Sequence, residues 1–241
     1  RDQPRARGLG DVYKRQVYGN DQLARIFGTQ STLGATAAFS GEALPQGGVA
    51  FTANAGFFIG EIPSGISNRV NTLVAALNNA GINTQASLDI QSLQWSKFVL
   101  WVAYTSISVI TKLPTYKFLS DQDTSLLCAR IMREMAAIAD DRGIALQDVG
   151  WPVLAVTNRN EEEAVKSLNQ LGKEVEQNSP DHKMSALQDL QNGKKLEIDA
   201  TLGYAVSEGQ KRGLSIPTLD VCYSLMKGIN TSNMRDASLR I

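Results

Sequence analysis

The chain has 241 residues, enough for one large domain or two small ones with a buried core. Lys and Arg together number 24, as do Asp and Glu, so the net charge gives no reason to expect nucleic acid or a membrane as partner. The longest uncharged apolar stretch, residues 98–111, is too short to cross a bilayer. One histidine and two cysteines leave almost no ligands for a zinc site, so no metal is expected, and the cysteines suit a reducing cytoplasm.

Residues 1–16 form a basic segment without apolar periodicity. No apolar stretch follows its charges, so it does not have the pattern of a signal peptide. A basic arm for an acidic partner is one interpretation. We predict instead that the segment is a non-native leader that is not part of the fold.

Residues 17–87 mix helical and strand patterns, which predicts an α/β region. The predicted elements are, in chain order, a helix at 21–27 ending at Gly28, a strand at 31–39, two strands within 48–62 that turn at 54–56, a helix at 66–80 ending at Gly81, and a short strand at 82–87.

From residue 88 onward the pattern predicts helices alone. They are expected at 89–111, 120–142 and 160–175, as a short helix that begins at Ser185, and at 194–212 and 217–227. The change of pattern predicts a second, all-helical domain at 88–230, with a tail at 231–241.

Lys97 is the only charge within residues 93–111. Trp101, Thr105 and Ser108 follow it at helical spacing and share its face. One interpretation is a lysine that covers apolar surface with its stem and keeps its ammonium in water. The other is a lysine in a semi-dry site, where the ammonium polarises a carbonyl and supplies a proton.

A second group of polar residues surrounds the predicted start of the helix at 194–212. Ser185 and Gln188 have the spacing of a helix cap and its partner. Glu197 and Asp199 would lie in the first turn of the next helix, where the helix dipole favours negative charge. Glu197 could instead reach a ribose hydroxyl or the Lys97 ammonium. The spacing leaves these alternatives open.

Three motifs in this order resemble the C-terminal domain of ketopantoate reductase (2-dehydropantoate 2-reductase). They are W-x-K at 95–97, S-x-x-Q-D at 185–189 and G-x-x-x-E-I-D at 193–199, and Gly203, Gly213 and Pro217 follow at the spacing of that family. The resemblance extends over about residues 19–228.

The resemblance implies an enzyme in which a Rossmann domain binds NADPH and a helical domain closes over a 2-keto acid. By the family pattern, Lys97 is the general acid, Ser185 contacts the substrate, and Glu197 contacts the cofactor. The default reaction is reduction of 2-dehydropantoate to pantoate, a step of pantothenate biosynthesis.

The chain departs from the family pattern in two ways. No G-x-G-x-x-G loop precedes Gly28, and a substrate-binding asparagine of the family would fall on Gln16, so we expect a truncated cofactor domain in a chain that is inactive alone. Four further family asparagines correspond to candidate substrate-binding residues that are not asparagine here, which are Trp101, Thr105, Thr115 and His182. This second departure indicates a reductase for another 2-keto acid as an alternative.

We therefore predict a mixed fold, in which a truncated α/β Rossmann remnant at 17–87 precedes an all-helical C-terminal domain at 88–230. The predicted function is NADPH-dependent reduction of a 2-keto acid by a cytoplasmic enzyme. A homodimer is compatible with the pattern, and a non-catalytic helical module for dimerisation or domain closure remains the competing hypothesis.

Overall fold

A computed structural model describes residues 16–43, 47–148 and 150–238. The chain divides into two compact units, residues 1–95 and 96–241, and the division falls inside a long helix. The first unit contains a small sheet with flanking helices, and the second has helices but no strand among its described residues. The predicted change from a mixed α/β region to a helical region is confirmed. Of the predicted leader, all but Gln16 lies outside the described residues, and Gln16 begins the first helix.

The first unit is built around a three-stranded sheet in the order β1-β2-β3. Strand β1 pairs antiparallel with β2, and β2 pairs in parallel with β3. Parallel neighbours need a crossover connection, and helix α2 supplies it. The bounds are α1 Gln16–Phe27, β1 Leu33–Ala43, β2 Val49–Glu61, α2 Asn68–Asn79 and β3 Thr84–Ala86.

Strand β2 differs from the prediction because it runs unbroken through residues 54–56. The pairing places Ala37 opposite Phe57 and Phe39 opposite Asn54, so β2 carries an extra residue at this point. Gly56 takes a φ of +117°, which an L side chain rarely adopts. An extra residue of this kind bends a strand without ending it. The predicted turn is therefore a bulge.

Helix α2 is fixed at its start by local polar contacts. The Ser67 hydroxyl accepts a hydrogen bond from the Val70 N–H at 3.4 Å and donates to the Glu61 carboxylate. Arg69 Nε donates to the same carboxylate at 2.8 Å, and the Arg69 guanidinium also donates to the Gln30 carbonyl. These contacts join the end of β2 and the turn before β1 to the first turn of α2.

The second unit consists of helices joined by short connections. Their bounds are α3 Ile90–Thr111 (shared with the first unit), α4 Thr115–Ser120, α5 Gln122–Asp141, α6 Val153–Thr157, α7 Glu161–Asn178, α8 Ser185–Gln191, α9 Leu202–Lys211 and α10 Pro217–Ser238. The short helices α4 and α6 are not predicted by the sequence, and α10 extends beyond its predicted end. Across the described part of the chain, no helix has the length and apolar character that spanning a membrane would require.

Helix α5 is the centre of the helical unit, since it contacts α4, α6, α7, α9 and α10. It begins where the Asp121 carboxylate accepts the Thr124 N–H at 2.9 Å. Its apolar residues recur at helical spacing and are completely buried, namely Ile131, Met132, Met135 and Ile138. The hydrophobic periodicity of α5 therefore produces the core that its sequence predicts.

Helix α9 starts later than predicted, and this is a correction to the interpretation of Glu197 and Asp199. Residues 194–198 are not helical, and α9 begins at Leu202. The backbone of this segment is bound by α10, because Asn230 accepts the Leu196 N–H at 2.8 Å and Asn233 donates to the Lys194 carbonyl at 2.9 Å. The two acidic residues therefore do not lie in the first turn of the helix.

Helix α8 also starts differently from the predicted cap. Ser185 is the first residue inside the helix, and Met184 occupies the cap position without a side-chain hydrogen bond. The Gln188 amide donates to the Lys183 carbonyl at 3.1 Å. The predicted capping pair of Ser185 and Gln188 is therefore wrong, and capping does not explain Ser185.

Candidate functional site

Helix α3 carries the first candidate residue. Lys97 lies in the second turn of this helix, and Trp101 follows it one turn later on the same face. Both side chains are half-buried, whereas their neighbours Ser96 and Phe98 are buried. The lysine thus stands at the edge of the helical core.

Burial lowers the pKa of the Lys97 ammonium to about 8. A lysine that only covers apolar surface keeps its charged end in water and its ordinary pKa. An ammonium with a pKa near 8 is still mostly protonated at neutral pH and releases its proton more easily than an ordinary lysine. The environment of Lys97 suits proton donation.

Two further polar residues on α3 differ in their surroundings. The Ser108 hydroxyl donates to the Leu113 carbonyl at 3.0 Å and so helps to end the helix. Thr105 is buried, and its hydroxyl has no hydrogen-bond partner among the residues that the structure describes. A buried hydroxyl without a partner costs about 1–3 kcal/mol. Ser108 is therefore structural, whereas the Thr105 hydroxyl is buried and has no partner within the described part of the chain.

Thr115 and His182 are brought together from distant positions in the chain. The Thr115 hydroxyl and His182 Nδ1 share a hydrogen bond of 2.8 Å, and the Thr115 N–H donates to the His182 carbonyl at 3.0 Å. Thr115 is completely buried and His182 is half-buried. Burial lowers the pKa of His182, so its ring is neutral at pH 7. These two predicted substrate residues bind each other.

The His182 ring also packs against Trp151, a residue that no sequence motif identified. The ring centroids are 6.4 Å apart in an edge-to-face arrangement. Trp151 packs in turn on Tyr104 at 5.3 Å, and Tyr104 packs on Phe118 at 5.7 Å. Trp151 and Tyr104 are 47 positions apart in the sequence, and helical periodicity gives no signal for such a contact.

The loop that carries Trp151 is held near Lys97. The Ser96 hydroxyl, adjacent to Lys97, accepts the Gln147 N–H at 2.8 Å. The Asp148 carboxylate accepts the Leu154 N–H at 2.9 Å, which fixes the start of α6. The loop therefore contacts α3 at Ser96 and again at Tyr104 through Trp151.

Ser185 and Glu197 are positioned by separate segments. Ser185 begins α8 with an exposed side chain, three residues after His182. Glu197 is half-buried in the segment bound by α10, and its carbonyl accepts the Thr201 hydroxyl at 2.7 Å.

Within the described residues no three His, Cys, Asp or Glu side chains are grouped so that they could hold a metal ion.

Comparison with known proteins gives a consistent result. Residues 89–230 match the family model described as ketopantoate reductase PanE/ApbA, C terminal. The chain is 28% identical over 173 residues to a 2-dehydropantoate 2-reductase of Mesorhizobium japonicum, covering 71% of this chain and 47% of that protein. The chain thus spans about half the length of this curated relative.

Solved structures with a similar fold include the 2-dehydropantoate 2-reductase from Methylococcus capsulatus. Its TM-score is 0.69 at 28% identity, over 88% of this chain and 67% of that chain. The complex of D-mandelate dehydrogenase with NADH has a TM-score of 0.70 at 16% identity, over 90% of this chain and 68% of that one. At such low identity the second likeness shows the fold alone.

Proposed function

The chain belongs to the ketopantoate reductase family, and on this premise we propose that the protein reduces a 2-oxo acid to a 2-hydroxy acid with NADPH. Lys97 carries the proposal. It occupies the position at which the family motif has its proton donor, and burial lowers its pKa to about 8.

Lys97 acts as the general acid in this proposal. The nicotinamide supplies the hydride when it is bound. As C2 of the 2-oxo acid gains that hydride, the π electrons of its carbonyl move to oxygen, where the ammonium stabilises the negative charge and then donates its proton. The amine of Lys97 afterwards regains a proton from water.

The described residues fit one part of NADPH. The Glu197 carboxylate has the chemistry to accept a hydrogen bond from a ribose hydroxyl. A pyrophosphate is commonly bound by free N–H groups at a helix N-terminus. In the β2–α2–β3 unit the Glu61 carboxylate lies at the start of α2, where it accepts hydrogen bonds from the Ser67 hydroxyl and Arg69 Nε. In this proposal Glu197 would hold the ribose.

The substrate proposed by family membership is 2-dehydropantoate. The contact between Thr115 and His182 favours a second candidate, a 2-oxo acid without a 4-hydroxyl. Because the Thr115 hydroxyl and His182 Nδ1 bind each other, they offer a substrate hydroxyl fewer hydrogen-bond partners than two free side chains would. Steady-state comparison of 2-dehydropantoate with its 4-deoxy analogue tests this point, and a clear preference for 2-dehydropantoate would reject the second candidate.

The decisive variants of the protein are Lys97→Ala and Glu197→Ala. Lys97→Ala should lower kcat by about 10²–10⁴-fold and leave the Kd for NADPH nearly unchanged. Glu197→Ala should raise KM and lower kcat less. Lys173→Ala, which removes an exposed lysine of α7, is the matched control and should leave kcat, KM and the Kd for NADPH unchanged.

In the wild type, kcat should fall as the pH rises through about 8, since the protonated Lys97 is the donor.

Two other outcomes would contradict parts of this proposal. If Lys97→Ala keeps kcat within a few-fold, Lys97 is a surface-covering lysine and the proton donor lies elsewhere. If the wild-type protein reduces none of a panel of 2-oxo acids, the alternative of a non-catalytic dimerisation or closure module is favoured.

A further inference from the structure

Four rings from four separate segments form a continuous aromatic row in the helical unit. Phe118 of α4 and Tyr104 of α3 are completely buried, whereas Trp151 and His182 at the other end are half-buried. The row thus runs from the core to the surface. At its outer end, the Trp151 and His182 rings each leave part of their surface uncovered.

The two rings at the outer end of this row, Trp151 and His182, carry no charge of their own at neutral pH. The Nδ1 atom of His182 is already bound by Thr115, and its carbonyl accepts the Thr115 N–H. Burial keeps the His182 ring neutral at pH 7 by lowering its pKa. What a ligand meets at this end is therefore an indole and an imidazole set edge to face.

The two rings belong to segments that carry the proposed chemistry. The loop of Trp151 is bound to Ser96, the neighbour of Lys97, and His182 lies three residues before Ser185. The half-buried Trp101 adds another ring one turn from Lys97. In the proposed function Lys97 and Ser185 hold the substrate, and both belong to segments that carry these rings or contact them.

We propose that Trp151 and His182 are specificity-determining residues and that they recognise a 2-oxo acid with an aromatic side chain. The inference rests on the proposed function and names its substrate class. An aryl group gains edge-to-face or offset contact with both rings, whereas a methyl group gains little. The partly exposed positions of Trp151 and His182 leave them able to contact a ligand, whereas Tyr104 and Phe118 are completely buried.

His182 is the only histidine of the chain, so its imidazole C–H signals in a proton NMR spectrum of the tag-free protein need no assignment. Phenylpyruvate and pyruvate are added separately, with and without NADP⁺. Phenylpyruvate should move the His182 signals through its ring current and saturate, whereas pyruvate, which has the same oxo-acid group without a ring, should leave them nearly in place. Equal effects of both acids, or none from phenylpyruvate, would overturn the inference.

Variants at Trp151 separate recognition from folding. Trp151→Leu keeps an apolar side chain without a ring and should weaken phenylpyruvate binding about tenfold, while pyruvate binding stays within about twofold. Trp151→Phe should restore most of the loss. Equal weakening for both acids in Trp151→Leu, or no recovery in Trp151→Phe, would contradict a role in side-chain recognition.

The binding readout is independent of turnover. A protein that reduces 2-oxo acids but shows no His182 response to phenylpyruvate would overturn this inference and leave the reductase proposal standing. Saturable binding of phenylpyruvate at His182 without reduction of any 2-oxo acid would support the aromatic surface and overturn the reductase proposal.

Discussion

The sheet unit and the helical unit bury their apolar side chains to very different extents. In the sheet unit many large apolar residues of the described part are exposed, among them Leu23, Ile26, Phe27, Ile66, Leu73, Ile82 and Leu88. In the helical unit most are completely buried, including Leu119, Ile131, Met135, Ile138 and Leu168. The helical unit has its own packed core, whereas the sheet unit relies more on strand pairing and on local polar contacts such as those of Glu61. Every candidate site residue lies in the unit with the packed core.

The largest expected effect tests this contrast with the same substitution in each unit. Leu168→Ala in α7 removes a completely buried side chain and should lower the free energy of unfolding by about 2–5 kcal/mol. Leu73→Ala in α2 removes a side chain that is 39% exposed and should cost less than about 1 kcal/mol, because alanine also favours the helix. Urea unfolding of both variants provides the measurement. Equal losses in the free energy of unfolding would show that the two units do not differ in how tightly these side chains are packed.

An intermediate effect is expected where a helix of the packed unit is capped by another helix. The Glu134 carboxylate of α5 accepts the Thr218 and Leu219 N–H groups at 2.9 and 2.8 Å, at the start of α10. Glu134→Ala should cost about 1–3 kcal/mol, since two helix-end donors lose a charged partner. Glu176→Ala at an exposed position of α7 is the control, and its unfolding midpoint should hardly move. A similar midpoint for both variants would mean that the long-range cap adds no stability.

The smallest effect concerns acid stability of the sheet unit. Hydrogen bonds from Arg69 and Ser67 lower the pKa of Glu61 to about 2. Because the folded pKa lies below the unfolded value of 4.5, the contribution of Glu61 is complete above about pH 4.5 and is lost as the pH falls towards 2. The difference in stability between wild type and Glu61→Gln should therefore shrink between about pH 5 and pH 3. Added salt should reduce this difference in stability further, since the ion pair of Glu61 and Arg69 is near the surface. A pH-independent difference would rule out this ion pair as its source.

The sequence predicted most of the fold because helical periodicity and glycine stops are local signals. Helix α2 and the parallel strand β3 lie within two residues of their predicted ends, and Gly28, Gly81 and Gly213 each follow a helix with positive φ. The start of α9 was mispredicted because Asn230 and Asn233, more than 30 positions later, hold residues 194–198 outside the helix. Such tertiary partners leave no local pattern.

The candidate site also combines features that have a local sequence signal with features that depend on tertiary contacts. The motif around Lys97 is local to one helix and could be found from spacing, although its lowered pKa depends on burial that spacing does not give. Thr115 and His182 were singled out by comparison with the family pattern, but their mutual hydrogen bond was not predicted. Trp151 was missed altogether, because its importance arises from ring contacts with residues on other segments.

The attachment of residues 194–198 to α10 makes the position of Glu197 depend on the far end of the chain. Asn233 lies beyond the residues that match the family model, yet it binds the backbone three residues before Glu197. Sequence drift in the last turns of α10 can therefore adjust the geometry of the proposed ribose contact while Lys97 and α3 stay as they are. If Glu197 and Lys97 have the roles proposed above, cofactor affinity and proton transfer can evolve separately.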